Sequence, residues 1–191
     1  MNIAVIGKGN VGTGLAAVLS AAGHDAAAFG RDDDLARAVS NAEIVILATP
    51  YNAAEDVAGK ADFNGKLVID VSNPVKEDFS GLQVGLDTSA AEQIADLMPG
   101  ASVVKAFNTI FAQHYASGLL IDGTPLQTYV AADDEVARAR VKKLAGDMGL
   151  VAIDAGPLAN ARYLEPMGFM NIQFGYVLGQ GVEIAPQWLV A

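Results

Sequence analysis

Short apolar runs alternate with amphipathic stretches along most of this chain. That is the pattern of strands buried on both faces and separated by surface helices. Ile3-Ala4-Val5-Ile6 is the first run and predicts a core strand. A helix follows, with Val11, Leu15, Val18 and Leu19 on one stripe and Gly23 as its C′ residue. A second strand is expected over Asp25–Gly30, a short helix over Asp32–Ser40, and a third strand over Ile44–Leu47. Ala53–Ala58 reads as a short helix and Leu67–Asp70 as a fourth strand. Residues Ser72–Thr88, with Pro74, Gly81 and Gly85, form the longest irregular stretch. A helix over Ser89–Leu97, capped by Thr88 or Ser89, leads to a fifth strand over Ser102–Ala106. A sixth strand is expected over Leu126–Ala131, a helix over Glu135–Met148 and a seventh strand over Val151–Asp154. From Leu158 to about Gly179 the chain reads as mostly helical, interrupted at Pro166.

This alternation predicts an α/β, Rossmann-type, mainly parallel sheet with helices on both faces, the first strand central, and a short C-terminal helical appendage. Gly156-Pro157 marks the expected boundary, with a dinucleotide-binding domain over 1–155 and a small helical segment packing on it over 156–191.

Gly7-Lys8-Gly9-Asn10-Val11-Gly12 is a GxGxxG between the first strand and the first helix, where a dinucleotide fingerprint belongs. Gly7 permits the tight turn, Gly9 the approach of a pyrophosphate, and Gly12 the close packing of helix on strand. The helix N-terminus offers free N–H groups to phosphates. In NAD-binding domains an acid at the end of the second strand bonds the ribose hydroxyls. Here that place falls on Gly30, which has no side chain, and Arg31 follows. A planar guanidinium suits a 2′-phosphate, which selects NADP(H). A competing count makes Asp32 the ribose acid and NAD the cofactor; Asp32-Asp33-Asp34 also suits a plain helix N-terminus. Ala48-Thr49-Pro50, Ser72-Asn73-Pro74 and Asn108-Thr109 end the third, fourth and fifth strands, on the edge where open α/β sheets bind ligands. Their polar groups suit the ribose and carboxamide of a nicotinamide half, although Pro and Asn are also ordinary turn residues.

Composition narrows the chemistry. The 191 residues carry no cysteine and two histidines, His24 and His114, in no ligand spacing. Neither thiolate catalysis nor a metal site is expected. Lys and Arg number 12 against 22 Asp and Glu, a net charge of −10 that argues against nucleic-acid and anionic-membrane partners. Mean hydropathy is high at +0.31, but no apolar run reaches the ~18 residues of a spanning helix. Met1-Asn2 lead straight into a strand, and a soluble, cytoplasmic protein is expected.

Several stretches resemble a known family, the NADP-dependent reductases of coenzyme F420, and the related reductase domain of the membrane metalloreductases. The glycine fingerprint is one. Phe29-Gly30-Arg31 is similar to the family's Gly-Ser-Arg, with Gly30 in place of the serine. Val103–Ile110 (Val-Val-Lys-Ala-Phe-Asn-Thr-Ile) is a third, and Asp154–Glu165 (Asp-Ala-Gly-Pro-Leu-Ala-Asn-Ala-Arg-Tyr-Leu-Glu) is the most specific. Two departures stand out. Archaeal members carry histidine where Asn108 stands, and their last segment is rich in Met, Leu and Ile where this one has Phe169, Phe174, Tyr176 and Trp188.

The resemblance implies hydride transfer between nicotinamide and the deazaflavin ring of F420, with chemistry that belongs to the two rings. No side chain is expected to be catalytic. His114 is the one candidate proton donor near Asn108-Thr109; the alternative is a surface or capping histidine on the following helix. A flavin, a quinone or a small carbonyl compound as acceptor, or NADP(H) binding without turnover, are the rival readings. The apolar tail Met167–Leu189, with Gly175-x-x-x-Gly179 inside it, is expected to bury itself in a homodimer contact and close the acceptor pocket.

Overall fold

The computed structural model describes residues 1–189. The apolar runs do become strands. β1 (Asn2–Ile6), β2 (Asp25–Phe29), β3 (Ile44–Leu47), β4 (Leu67–Asp70) and β5 (Ser102–Lys105) form a five-stranded sheet in the order β2-β1-β3-β4-β5. Every pairing is parallel. β1 is an inner strand, as expected, but β3 holds the middle. β3 and β4 are buried at every position, whereas β2 lies at the edge and is half exposed.

Neighbouring residues of a strand feed opposite layers. Ile3, Val5, Ile44, Ile46 and Val104 pack against α1 (Asn10–Ala21) and α6 (Glu135–Asp147), through Leu15, Leu19, Val141 and Leu144. Ala4, Ile6, Val45, Leu47 and Val103 face α2 (Leu35–Asn41), α3 (Ala54–Ala58) and α4 (Ala90–Leu97). α1 ends as expected, with Gly23 at φ +87. Asp34, Ser89 and Asp134 cap α2, α4 and α6 with their side chains.

Beyond β5 the structure departs from a simple parallel sheet. α5 (Ala112–Ala116) and the hairpin β6 (Leu120–Ile121) and β7 (Thr124–Pro125) precede β8 (Gln127–Val130). Asp122 (φ 48) and Gly123 (φ 76) make the hairpin's tight turn. β8 pairs in parallel with β9 (Val151–Asp154), but this pair is separate from the main sheet. It joins β5 through one antiparallel bridge, Lys105–Ala131, with N–H···O distances of 2.9 and 3.0 Å. The sixth and seventh strands therefore exist, but run against the others. A parallel continuation would need a long crossover helix after β5, and α5 is only a turn or so.

α7 (Ala161–Ile172) is unbroken by Pro166. Leu164, Glu165, Gly168 and Asn171 on it are all buried, and this packing outweighs the one backbone bond that proline removes. A π turn over Gln173–Val177 follows. Gly175 and Gly179 of the tail serve the chain internally. A Cβ on Gly175 would lie 2.9 Å from the Phe111 ring, and Gly179 turns the chain at φ +71. The tail then docks back on β8. Gln127 donates to the Trp188 carbonyl (2.9 Å) and accepts from the Trp188 N–H (2.6 Å), and Tyr129 donates to the Pro186 carbonyl (3.3 Å). Among the described residues no helix is long and apolar enough to cross a membrane.

Candidate functional site

The glycine loop lies at the carboxyl end of β1, beside the ends of β2 and β3. Its three glycines answer to different demands. Gly7, at φ +127, donates its N–H to Phe29 O (2.7 Å), and a Cβ there would lie 2.2 Å from Ala48 O. A Cβ on Gly12 would lie 2.0 Å from Gly7 O. The fold itself forbids side chains at both. Gly9 has an ordinary φ of −76, and a Cβ there would meet nothing within 4 Å. No protein atom needs glycine at this position. It is also the N-cap of α1, with no side-chain cap, so the helix's first N–H groups look into that open space.

The space belongs to a cleft of about 470 Å³ along the carboxyl edge of the sheet. Gly9, Asn10 and Val11 line it from β1, Ala48, Thr49 and Pro50 from β3, and Asn73, Asn108 and Thr109 from β4 and β5. Pro74 does not line it. Pro74 is buried, and its carbonyl accepts from Gln83 (2.6 Å) to fasten the loop that follows.

Phe107 turns the chain from β5 into the cleft at φ 62, a left-handed conformation uncommon outside glycine. The Thr128 hydroxyl, accepting from Phe107 N–H (2.9 Å), holds it there. Asn108 and Asn73 then bind each other. Asn108 Nδ2 donates to Asn73 Oδ1 (2.9 Å) and to Leu164 O (2.8 Å), and Asn73 Nδ2 donates to Asn108 O (2.7 Å). Gly168 of α7 presses on this pair; a Cβ would lie 2.6 Å from Asn73 Oδ1 and 2.9 Å from Asn108 Nδ2. Asn171 of α7 donates to Thr109 O (3.1 Å).

Three buried atoms on the cleft's lining residues find no protein partner among the described residues: Ser72 Oγ, Asn108 Oδ1 and Thr109 Oγ1. Unpartnered buried polar atoms are costly. An amide oxygen and two hydroxyls complement a bound carboxamide, which both donates and accepts. The NADP(H) expected from the sequence fits on this ground and on the open space before Gly9. At the other end the walls are Phe79, Phe111 and Tyr176, with Phe111 and Tyr176 edge to face at 5.3 Å. Among the described residues no Lys, Arg, His, Asp or Glu lines the cleft, and Tyr176 is its one titratable group.

His114 fits neither expectation. It is fully buried, its Nε2 lies 3.3 Å from Ile184 O, and it does not line the cleft. It is a core contact between α5 and the tail, beside the Phe111 ring. Neither a proton donor to the cleft nor a surface cap describes it.

The adenosine end of the expected cofactor lies outside the cleft. Phe29 pairs with Ile6, so Gly30 comes level with Gly7. Gly30 to Asp33 form a turn, closed by Asp33 N–H on Gly30 O (3.3 Å). Asp33 also turns its carboxylate back, accepting from Lys8 Nζ and Gly30 N–H, both at 2.6 Å. The Lys8 ammonium, then the Gly30 N–H, holds the Asp33 carboxyl below the usual carboxylate range. Lys8 is thus already paired. Arg31 and Asp32, in the middle of the turn, are exposed.

Phe79 and Phe111 are site residues that the sequence did not reveal. Gly168, Asn171 and Tyr176 lie on the Met167–Leu189 tail that was expected to close the acceptor pocket.

Residues 2–74 match the family model "NADP oxidoreductase coenzyme F420-dependent". The metalloreductase STEAP3 of Rattus norvegicus is 35% identical over 129 residues, covering 67% of this chain and 25% of that protein. The human metalloreductase STEAP2 is 34% identical over 101 residues, covering 53% of this chain and 19% of that protein. This chain therefore spans a quarter or less of the metalloreductases it matches. A crystal structure from Arthrobacter sp. FB24, described as an F420-dependent NADP reductase, superposes with a TM-score of 0.84 at 26% identity, covering 94% of this chain and 95% of that one. A hypothetical protein from Sinorhizobium meliloti gives 0.73 at 27% identity, covering 84% and 87%.

Proposed function

We propose that this chain, whose residues 2–74 match the coenzyme F420-dependent NADP oxidoreductases, is an NADP-dependent oxidoreductase that passes the hydride of NADPH to a flat, conjugated ring of the deazaflavin or flavin type, coenzyme F420 being the first to test. The observation that carries this reading is a cleft with no charged side chain on its lining. NADPH, when bound, supplies the hydride. Reduction of a carbonyl or imine calls for a proton at the reacting atom, commonly from a placed acid. A conjugated ring spreads the incoming charge and draws its proton from water.

The chain's own part is to bind and orient. The α1 N-terminus and Gly9 take the pyrophosphate, and Arg31 takes the 2′-phosphate. Asn108, Thr109 and Ser72 hold the carboxamide through their unpartnered atoms. Phe79, Phe111 and Tyr176 offer ring faces and edges to a planar acceptor. Two ligands held in contact turn a bimolecular step into an effectively unimolecular one. A flavin remains the second reading, because Asn108 and the aromatic tail depart from the F420 reductases known to carry histidine and aliphatic residues there.

The test is NADPH oxidation at 340 nm with F420, free flavins, a quinone, small carbonyl compounds and ferric ion in separate arms. Turnover with F420 or flavin and not with carbonyls is expected. Turnover with carbonyls alone would sink the reading, and turnover with none would leave an NADP(H)-binding protein.

The same reading includes a cytoplasmic location, where both expected cofactors are metabolites, and a homodimer. Met170, Phe174, Tyr176, Val177 and Leu178 leave a run of exposed apolar side chains next to the acceptor end, the kind of patch that marks an interface. Light scattering is expected to give about twice the chain mass of 19.7 kDa; a clean monomer would remove the dimer.

A further inference from the structure

The two stretches Val103–Ile110 and Asp154–Glu165 meet in a buried ion cluster that hydride transfer does not use. Lys105, the last residue of β5, is fully buried. Its ammonium donates to Asp70 Oδ2 (2.7 Å), Glu165 Oε1 (2.9 Å) and the Ser72 carbonyl (2.6 Å). Three donors thus find three acceptors. Asp70 closes β4, and its other oxygen accepts from Ser72 N–H (2.9 Å). Glu165, in the middle of α7, also accepts from the N–H groups of Ala90 (2.9 Å) and Ala91 (3.1 Å) at the start of α4. Two carboxylates face one ammonium, and the positive end of α4 meets the excess charge.

A buried ionic cluster is weak evidence for stability, since apolar residues of similar volume often serve as well. What it supplies is direction. Apolar packing of α7 through Leu164 on Tyr129 and Ala131 is non-directional and tolerates sliding. Charge-assisted hydrogen bonds fix the helix along its axis. One turn beyond Glu165 lies Gly168, with no slack against Asn73 and Asn108. Asn171 lies on the same side and bonds Thr109. The same ammonium that grips Glu165 also grips the carbonyl of Ser72 on the cleft wall.

We propose that Lys105 and Glu165 form a positioning joint that sets how far α7 stands from the sheet edge, and so the width of the cleft where the acceptor ring enters. Neither is a catalytic residue. The joint deepens the function proposed above and rests on its two-ligand reading of the cleft.

The test uses the full-length protein with Glu165→Asp, which keeps the charge and shortens the reach by one methylene. The KM for the acceptor is expected to rise at least tenfold, since a misplacement of ~1 Å can cost about a hundredfold. The NADPH dissociation constant should rise less than the acceptor KM, because Glu165 touches neither the glycine loop nor Arg31, and of the proposed NADPH contacts only those of Ser72, Asn108 and Thr109 border the joint. Hydrogen exchange should quicken over α7 and stay slow in β1 and β3. Gly168→Ala, which presses on α7 from the cleft side, should give the same acceptor defect if Glu165→Asp fails to fold. An unchanged acceptor KM in a folded variant, or a loss of NADPH affinity equal to the acceptor loss, would overturn the joint. If the wild type reduces no acceptor, the proposed function fails by itself. The exchange comparison then still decides, and unchanged protection of α7 overturns the joint.

Discussion

Arg31→Ala is expected to weaken NADPH binding by roughly 10- to 150-fold and to leave NADH binding nearly unchanged. A hydrogen bond to a charged group contributes ~1.5–3 kcal/mol, and each 1.4 kcal/mol is about tenfold in affinity. The turn after β2 concentrates that effect on one residue. Lys8, a second cation nearby, already holds the Asp33 carboxylate at 2.6 Å. Asp32, Asp33 and Asp34 would repel a 2′-phosphate, and the whole chain carries −10. NADH has no phosphate at that place and loses nothing. The measurement is a pair of titrations on wild type and variant, each with both nucleotides, at one salt concentration, because exposed ion pairs are screened. Equal losses for both nucleotides would mean that Arg31 supports the turn. A wild type that prefers NADH would mean that an acid of the turn reads the ribose.

The parts of this molecule legible in its sequence are those governed by local rules. β1, β3 and β4 are continuous apolar runs, and each forms where the run lies. Ser89, Gly23 and the glycine loop follow capping and turn chemistry that neighbouring residues determine. The turns carrying Thr49, Asn73 and Asn108 could be placed together because parallel strands bring their carboxyl ends to one edge. Legibility ends where contacts are long-range. α5 has five residues and no side-chain cap, too little pattern to show. The β6–β7 hairpin did leave a signal, the Asp122-Gly123 pair that tight hairpins favour. The antiparallel set of β8 depends on how the chain returns after β5, which periodicity does not encode. His114 looked like a chemical group because it is polar and close in sequence to Asn108. Its burial against Ile184, seventy residues later, is a tertiary fact. The aromatic walls come from three separate segments; the tail that carries Tyr176 was expected at the acceptor pocket, but nothing in the sequence brings Phe79 and Phe111 to meet it.

The three glycines of the loop permit a sharper test, because one of them is free of any protein constraint. Gly9→Val is expected to abolish tight NADPH binding while the protein stays folded. A Cβ at Gly9 has no protein neighbour within 4 Å, and its φ of −76 suits any residue. The folding penalty is then that of a poorer N-cap, about 1 kcal/mol, or roughly 2–4 °C in melting temperature for a chain of this size. The bound pyrophosphate would lose its close approach to the backbone. Two charge-assisted hydrogen bonds at ~1.5–3 kcal/mol each amount to a loss of at least about a hundredfold in affinity. Gly12→Ala should behave in the opposite way. Its Cβ would sit 2.0 Å from the Gly7 carbonyl, a backbone atom that cannot swing aside. Overpacking of that kind costs ~1–3 kcal/mol or more, so the melting temperature should fall further than in the Gly9 variant. Calorimetry and NADPH fluorescence titration on both variants separate the two roles. A Gly9→Val protein that binds NADPH as tightly as the wild type would show that the open space before α1 does not receive the cofactor.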